Sequence, residues 1–176
     1  MTFHVSTVMR NQKGVARMMS WVQTRDEEVI VFQELFNLRH QVTQGMVAAG
    51  FCHYVVTPFG DDGDGTAIFS KHPIGEIDFT DYYDFFGKDS IGVLIQAEAF
   101  ATDHGIMEAE ILKDGISHHV HNTHTLSNSV REEDTRRLVQ YMAIRMAGAN
   151  KSPNDSVLFA GDMNEDKYNH DVGDRC

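Results

Sequence analysis

Four apolar residues, Val29-Ile30-Val31-Phe32, run directly into Gln33-Glu34, and this junction constrains the fold more than any other stretch of the chain. A short run rich in β-branched side chains reads as a buried strand. Ending such a strand in a carboxylate is unusual, because an ionised group is costly to bury without a partner. Glu34 therefore calls for a cation, an arginine or water at the strand's end. A second strand of the same kind, Val157-Leu158-Phe159-Ala160, closes on Gly161-Asp162-Met163-Asn164. Glycine lets backbone approach a ligand closely where a strand stops, and Asp162 and Asn164, two residues apart, point the same way. Taken alone, Gly-Asp-x-Asn is also ordinary turn chemistry.

The rest of the chain alternates in period. Phe3 to Met9 is β-prone. From Asn11 the period changes, with Val15, Met18, Met19 and Val22 on one helical face. Leu35 to Ala49 reads as a helix closed by Gly50, and Cys52 to Thr57 and Gly65 to Ser70 as strands. The acids of Pro58 to Gly65 resemble half of a calcium loop, but a closing glutamate is missing and the segment reads as a solvated loop. Asp78 to Asp89, rich in Asp, Tyr and Phe, shows no period and reads as loop; its rings either pack onto the sheet or touch a membrane surface or partner. Ile91 to Phe100 is a strand. Ile106 to Leu112 and Ile116 to Thr125 form a hairpin turning at Lys113-Asp114-Gly115, and Arg131 to Ala147 is a helix. Strands broken by a few helices imply a layered α/β sandwich. With 176 residues, 41% of them hydrophobic and 23% charged, and with no linker or repeat, a single domain over residues 1–176 is expected.

The net charge of −11 argues against a broad basic face for nucleic acid, though not against phosphodiester cleavage assisted by bound cations. Two cysteines, Cys52 and Cys176, imply no disulfide framework. The chain contains neither a secretory signal nor an apolar run of membrane-spanning length, which leaves its compartment open.

His118-His119-Val120-His121-Asn122-Thr123-His124 is the other chemical feature. Alternation puts His118, Asn122 and His124 on one face and His119, His121 and Thr123 on the other. His118 and His119 read as histidines on the wet side of a half-exposed strand. His124 sits at the strand end, where a functional group is delivered. His119-x-His121-x-x-His124 resembles the zinc signature of metallo-β-lactamase-type hydrolases. However, Thr123 stands where that signature has its aspartate, and Glu34 and Asp162 are left unexplained.

Four segments in order resemble the endonuclease/exonuclease/phosphatase superfamily, which includes DNase-type nucleases, inositol-phosphate phosphatases and neutral sphingomyelinases. Val29 to Phe36 looks like its metal-binding glutamate strand. Gly65 to Ile74 resembles "G-x-A-I-x-S-x-x-P-I". Asn122-Thr123-His124-Thr125 looks like "N-T-H-L/T", with Arg136 and Gln140 of an "R-x-x-Q" helix following. Ala160 to Asn164 resembles "G-D-x-N". The resemblance implies a four-layer αββα sandwich, incomplete at the C-terminus. It implies Glu34 as ligand to Mg²⁺ or another divalent cation, and His124, Asp162 and Asn164 as catalytic residues, with Asn122 and Asn164 contacting substrate.

Phe32 to Asn37, Gly50-Phe51-x-x-Tyr54 and Asn122 to Thr125 look closest to sphingomyelin phosphodiesterases, which cleave sphingomyelin to ceramide and phosphocholine. The partners so implied are a lipid head group and a peripheral membrane contact, with no stable nucleic-acid partner. The alternatives are a nuclease or inositol-phosphate phosphatase of the same superfamily, or a non-catalytic remnant that binds a phosphate-bearing ligand or a partner. Two departures stand out. Phe3 to Asn11 lacks the family's "T-x-N" metal asparagine. Asp171-Val172-Gly173-Asp174 does not resemble the terminal "S-D-H" motif that supplies the base, and His170 is too close to Asp162 to replace it. The chain thus reads as C-terminally truncated, inactive or very weak alone, and prone to self-association through an exposed sheet.

Overall fold

The described residues form two four-stranded sheets laid face to face. A computed structural model describes residues 2–4, 12–57, 65–81, 105–124 and 154–162. In the first sheet, β1 (Thr2–His4), β2 (Val29–Gln33), β3 (His53–Val56) and β4 (Ala67–Ser70) lie in the order β1-β2-β4-β3. The β1–β2 pair is parallel and the others antiparallel. In the second, β5 (Ile74–Asp81), β6 (Gly105–Lys113), β7 (Ile116–His124) and β8 (Ser156–Asp162) follow chain order, and only β7–β8 is parallel.

Period-two alternation in β2 and β4 separates two cores. Ile30, Phe32, Ala67 and Phe69 face outward and pack with helices α1 (Gln12–Val22) and α2 (Arg39–Ala48). There they meet the expected helical stripe Val15, Met18, Met19 and Val22, all buried, together with Val42 and Met46. Phe69 sits edge-on to Phe32 and stacks against Tyr54, each at 5.6 Å between ring centroids. Val31 and Ile68 face the other way, against Met107, Ala109, Ile111 and Val120 of the second sheet. Helix layer, sheet and sheet are thus three of the four expected layers; residues 131–147, read as a helix, lie outside the described residues.

Local chemistry accounts for most boundaries. Leu35 to Ala49 divides into a short 3-10 turn, Phe36–Leu38, and then α2. Gly50 at φ 93° closes the helix in the left-handed region. Asp114 and Gly115, at φ 54° and 77°, form the two-residue turn of the β6–β7 hairpin, the geometry that matches strand twist. Glu28, ahead of β2, is paired with Lys113 at the hairpin tip and with His72 Nε2 at 3.1 Å, joining the two sheets at the end opposite Glu34. Hydrogen bonding from Lys113, then from His72, holds the Glu28 carboxyl below its ordinary pKa.

One element departs from expectation. Ile74–Asp81 is a strand, so Asp78 to Asp81 is not loop. A register shift between Ile74 and Ile77 breaks the period-two pattern that would have revealed it. The strand Ile91 to Phe100, the loop at Pro58 to Asp64 and most of the aromatic segment lie outside the described residues. Among the described residues, no helix is long and apolar enough to cross a membrane.

Phe69→Ala, which empties the outer core between Phe32 and Tyr54, is expected to cost about 3–5 kcal/mol of unfolding free energy. Urea denaturation checks it; a loss below about 1 kcal/mol would mean the cavity collapses.

Candidate active site

Three strand ends meet at one end of the sandwich. Glu34 follows the last residue of β2, whereas His124 and Asp162 end β7 and β8. Asp162 lies directly opposite His124 in the parallel register. In a parallel pair such partners point to the same face. Here it is the inward one, since Val120 and Ala160, an even number of residues back, belong to the inter-sheet core. His124 Nε2 stands 3.9 Å from Glu34 Oε1, with side-chain exposures of 8% and 27%. A sheltered imidazole and a partly open carboxylate, contributed by opposite sheets, thus face one another.

Two backbone features create this arrangement. Glu34 holds φ 58°, a left-handed conformation that a residue with a Cβ adopts at a cost of about 1–3 kcal/mol. The reversal ends the strand and lets Leu35 N donate to Gly65 O at 3.0 Å. Gly161 has φ 143°, and a Cβ placed there would overlap the Thr123 carbonyl oxygen. Only glycine allows β8 to lie this close to β7 and so bring Asp162 level with His124.

Asn122 lies between the two sheets. It is wholly buried; its Nδ2 donates to Phe32 O at 2.8 Å and Ala67 O at 3.1 Å, and its Oδ1 accepts from Gln33 Nε2 at 2.6 Å. Its amide is thus engaged across the two sheets. It lies beneath the site. Asn164, Arg136 and Gln140 fall outside the described residues, as do Asn11, His170 and Cys176.

The remaining histidines separate by face. His119 Nδ1 lies 2.9 Å from Glu108 Oε1 and its Nε2 3.3 Å from Asp155 Oδ2, and its side chain is only 12% exposed, so it is not on a wet side. His121, fully buried, stacks on Phe159 at 4.5 Å. Both point away from the face that carries His124, so the three imidazoles of the zinc-type signature do not converge.

Among the described residues, no three His, Cys, Asp or Glu side chains gather into a ready-made metal cage. A hard cation such as Mg²⁺ does not need one: it commonly takes one or two carboxylates and keeps water and substrate oxygens as its other ligands. Glu34, the partly exposed carboxylate, is a donor of that kind. The amide oxygen of Gln33, the chain neighbour of Glu34, is buried with no hydrogen-bond partner among the described residues. The residues present therefore fit a divalent cation.

Residues 6–175 match the model of the endonuclease/exonuclease/phosphatase family. The chain belongs to that family. Its fold is shared with sphingomyelinase C from Streptomyces griseocarneus, at 21% identity and a TM-score of 0.66, covering 96% of this chain and 65% of that one. SmcL aligns with 16% identity and a TM-score of 0.66, over 94% of this chain and 64% of that one. TDP2 from D. rerio, in complex with a single-strand DNA product, aligns with 15% identity and a TM-score of 0.70, over 95% and 60%. The chain therefore spans 60–65% of the length of these structures. No curated protein sequence matches it.

The strain at Glu34 is testable without any substrate. Glu34→Gly is expected to be more stable than Glu34→Ala by about 1 kcal/mol, because only glycine occupies the left-handed region freely. Paired denaturation curves measure the difference. Equal midpoints would show that the backbone is relaxed at this position.

Proposed function

We propose that this family member is a Mg²⁺-dependent phosphodiesterase whose substrate is a phospholipid head-group diester, most favourably sphingomyelin, cleaved to ceramide and phosphocholine. The observation that carries the reading is the Glu34–His124 approach at 3.9 Å across the sheets, with Asp162 level with His124. Glu34 would hold the cation. When bound, the cation supplies positive charge that polarises the phosphoryl oxygen. The buried His124 imidazole is suited to hydrogen-bond a phosphate oxygen or to hand a proton to the leaving oxygen. Asp162, half-buried beside it, would orient the attacking water, and Asn164 would bind a phosphate oxygen in the role its motif assigns. Phosphoryl transfer depends mainly on such positioning and electrostatic stabilisation, so a few well-aimed groups suffice.

Two features favour the lipid over a polynucleotide. A net charge of −11 opposes accumulation of a polyanion, and the residues around Glu34 and His124 look closest to sphingomyelin phosphodiesterases. Partners follow from the same reading: a peripheral contact with the lipid surface, and a second copy of the chain. The second copy is supported by Val157 and Leu158 of β8, the outermost strand of the described second sheet, which are 37% and 53% exposed.

The phosphocholine that this chain releases from sphingomyelin in mixed micelles, expected to be little, should require Mg²⁺, stop with EDTA, and fall about 100-fold or more, to background, in Glu34→Ala. Mg²⁺-dependent cleavage of an oligonucleotide with sphingomyelin untouched would assign the site to the nuclease alternative. No cation-dependent cleavage of either would leave the phosphate-binding remnant. Sedimentation velocity tests self-association separately: Leu158→Lys is expected to shift a dimer toward monomer, and a monomeric parent chain would remove that partner.

A further inference from the structure

The third inward-facing position of β2 holds an amide where the two before it hold valines. Val29 and Val31 pack into the inter-sheet core, and by alternation Gln33 should extend that apolar row. It is fully buried instead as a glutamine. An apolar residue of similar length would pack there with no polar group to satisfy, so stability does not explain the choice.

The hydrogen-bond pattern fixes which way the amide faces. Asn122 Nδ2 is identified by its two carbonyl acceptors, Phe32 O and Ala67 O. Its Oδ1 therefore faces Gln33, which must answer with Nε2, at 2.6 Å. Gln33 Oε1 is left as a buried acceptor without a hydrogen-bond partner among the described residues. Such an orphan is uncommon and calls for an explanation. Along the chain it adjoins Glu34, and through Asn122 it is tied to the strand position two residues before His124.

We propose that Gln33, clamped by Asn122, is a positioning residue of the cation site: it sets the Glu34 carboxylate against His124, and its unused carbonyl oxygen accepts a hydrogen bond from a water held with the cation. This inference rests on the reading of Glu34 as a cation ligand. The chemistry suits the task. Water on a divalent cation turns its hydrogens outward and needs acceptors, and a neutral amide provides one without adding a second charge. Asn122, anchored on main-chain carbonyls of both β2 and β4, keeps that amide from rotating. Supporting groups of this kind typically govern metal affinity by 10- to 100-fold.

Mn²⁺ binding to the chain, followed by the electron paramagnetic resonance signal of the free ion, tests this without any turnover. Gln33→Met, which keeps the length and removes both hydrogen-bonding groups, is expected to weaken Mn²⁺ binding about 10-fold or more. Asn122→Ala should weaken it comparably, and the double variant no further than the worse single one, because the two act as a unit. Met46→Ala, in the helix-side core, serves as a destabilised control that should keep the parent affinity. Affinity in Gln33→Met within two-fold of the parent, with Glu34→Ala abolishing binding, would overturn this inference alone. Equal loss in Met46→Ala would reduce the effect to stability and overturn it as well. A parent chain that binds no Mn²⁺ would overturn the cation reading of Glu34, and this inference with it.

Discussion

The Glu34–His124 approach depends on how the two sheets are held face to face. Val31 and Ile68 from one sheet meet Met107, Ala109, Ile111 and Val120 from the other, and this apolar layer fixes their separation. Apolar contact is not directional, so it sets distance better than register. Register comes from polar links at the two ends of the layer. At one end Glu28 is paired with Lys113 and His72; at the other Asn122 spans Phe32, Ala67 and Gln33. The first pair of contacts is solvent-exposed and screened, and the second is fully buried. The buried link is therefore the one that decides where Glu34 stands relative to His124, and it lies immediately beneath them.

Two strained or restricted backbone positions sit on the same layer. Glu34 in the left-handed region and Gly161 in contact with the Thr123 carbonyl are each unfavourable or intolerant of change when considered locally. Each turns or narrows a strand end so that a carboxylate arrives on the side of the imidazole. Gly50 and the Asp114-Gly115 turn also have positive φ, but they solve ordinary capping and hairpin problems. A difference in neighbours separates the two classes: Glu34 and Gly161 lie at the strand ends that carry Glu34 and Asp162, and Gly65, at φ 66°, accepts the Leu35 N–H beside the first of them.

The elements legible in the sequence were those whose period survives into the structure. Val15, Met18, Met19 and Val22 mark α1, and the Asp114-Gly115 turn marks the β6–β7 hairpin, because each signal is local. β5 was hidden by the shift between Ile74 and Ile77, which moves its apolar residues out of phase. For the candidate site, the sequence offers Glu34, His124 and Asp162 as polar ends of apolar strands, and the structure brings Glu34 and His124 to 3.9 Å. The interior hydrogen bonds of Asn122 are not legible in its neighbourhood. Nothing in a linear motif separates an amide that touches substrate from one that faces Phe32 and Ala67, more than fifty residues away. Gln33 is illegible for the same reason: its signal is a polar residue in an apolar row, which acquires meaning only when the facing sheet supplies Asn122.

The histidine-rich strand shows how one segment can serve two separate purposes. Its inward face ends in His124 above the Asn122 link. On its outward face, His119 lies between Glu108 of β6 and Asp155 just ahead of β8, and His121 stacks on Phe159 of β8. Those outward contacts tie the start and middle of β8 to its neighbours, and β8 is the strand that must deliver Asp162. The parallel register from His118↔Ser156 to His124↔Asp162 is continuous, so an anchor at its beginning restrains its end. Outward histidines thus support the inward one through the strand they share, and a cluster that resembles a metal signature in sequence acts in the fold as a fastening for the strand carrying the aspartate.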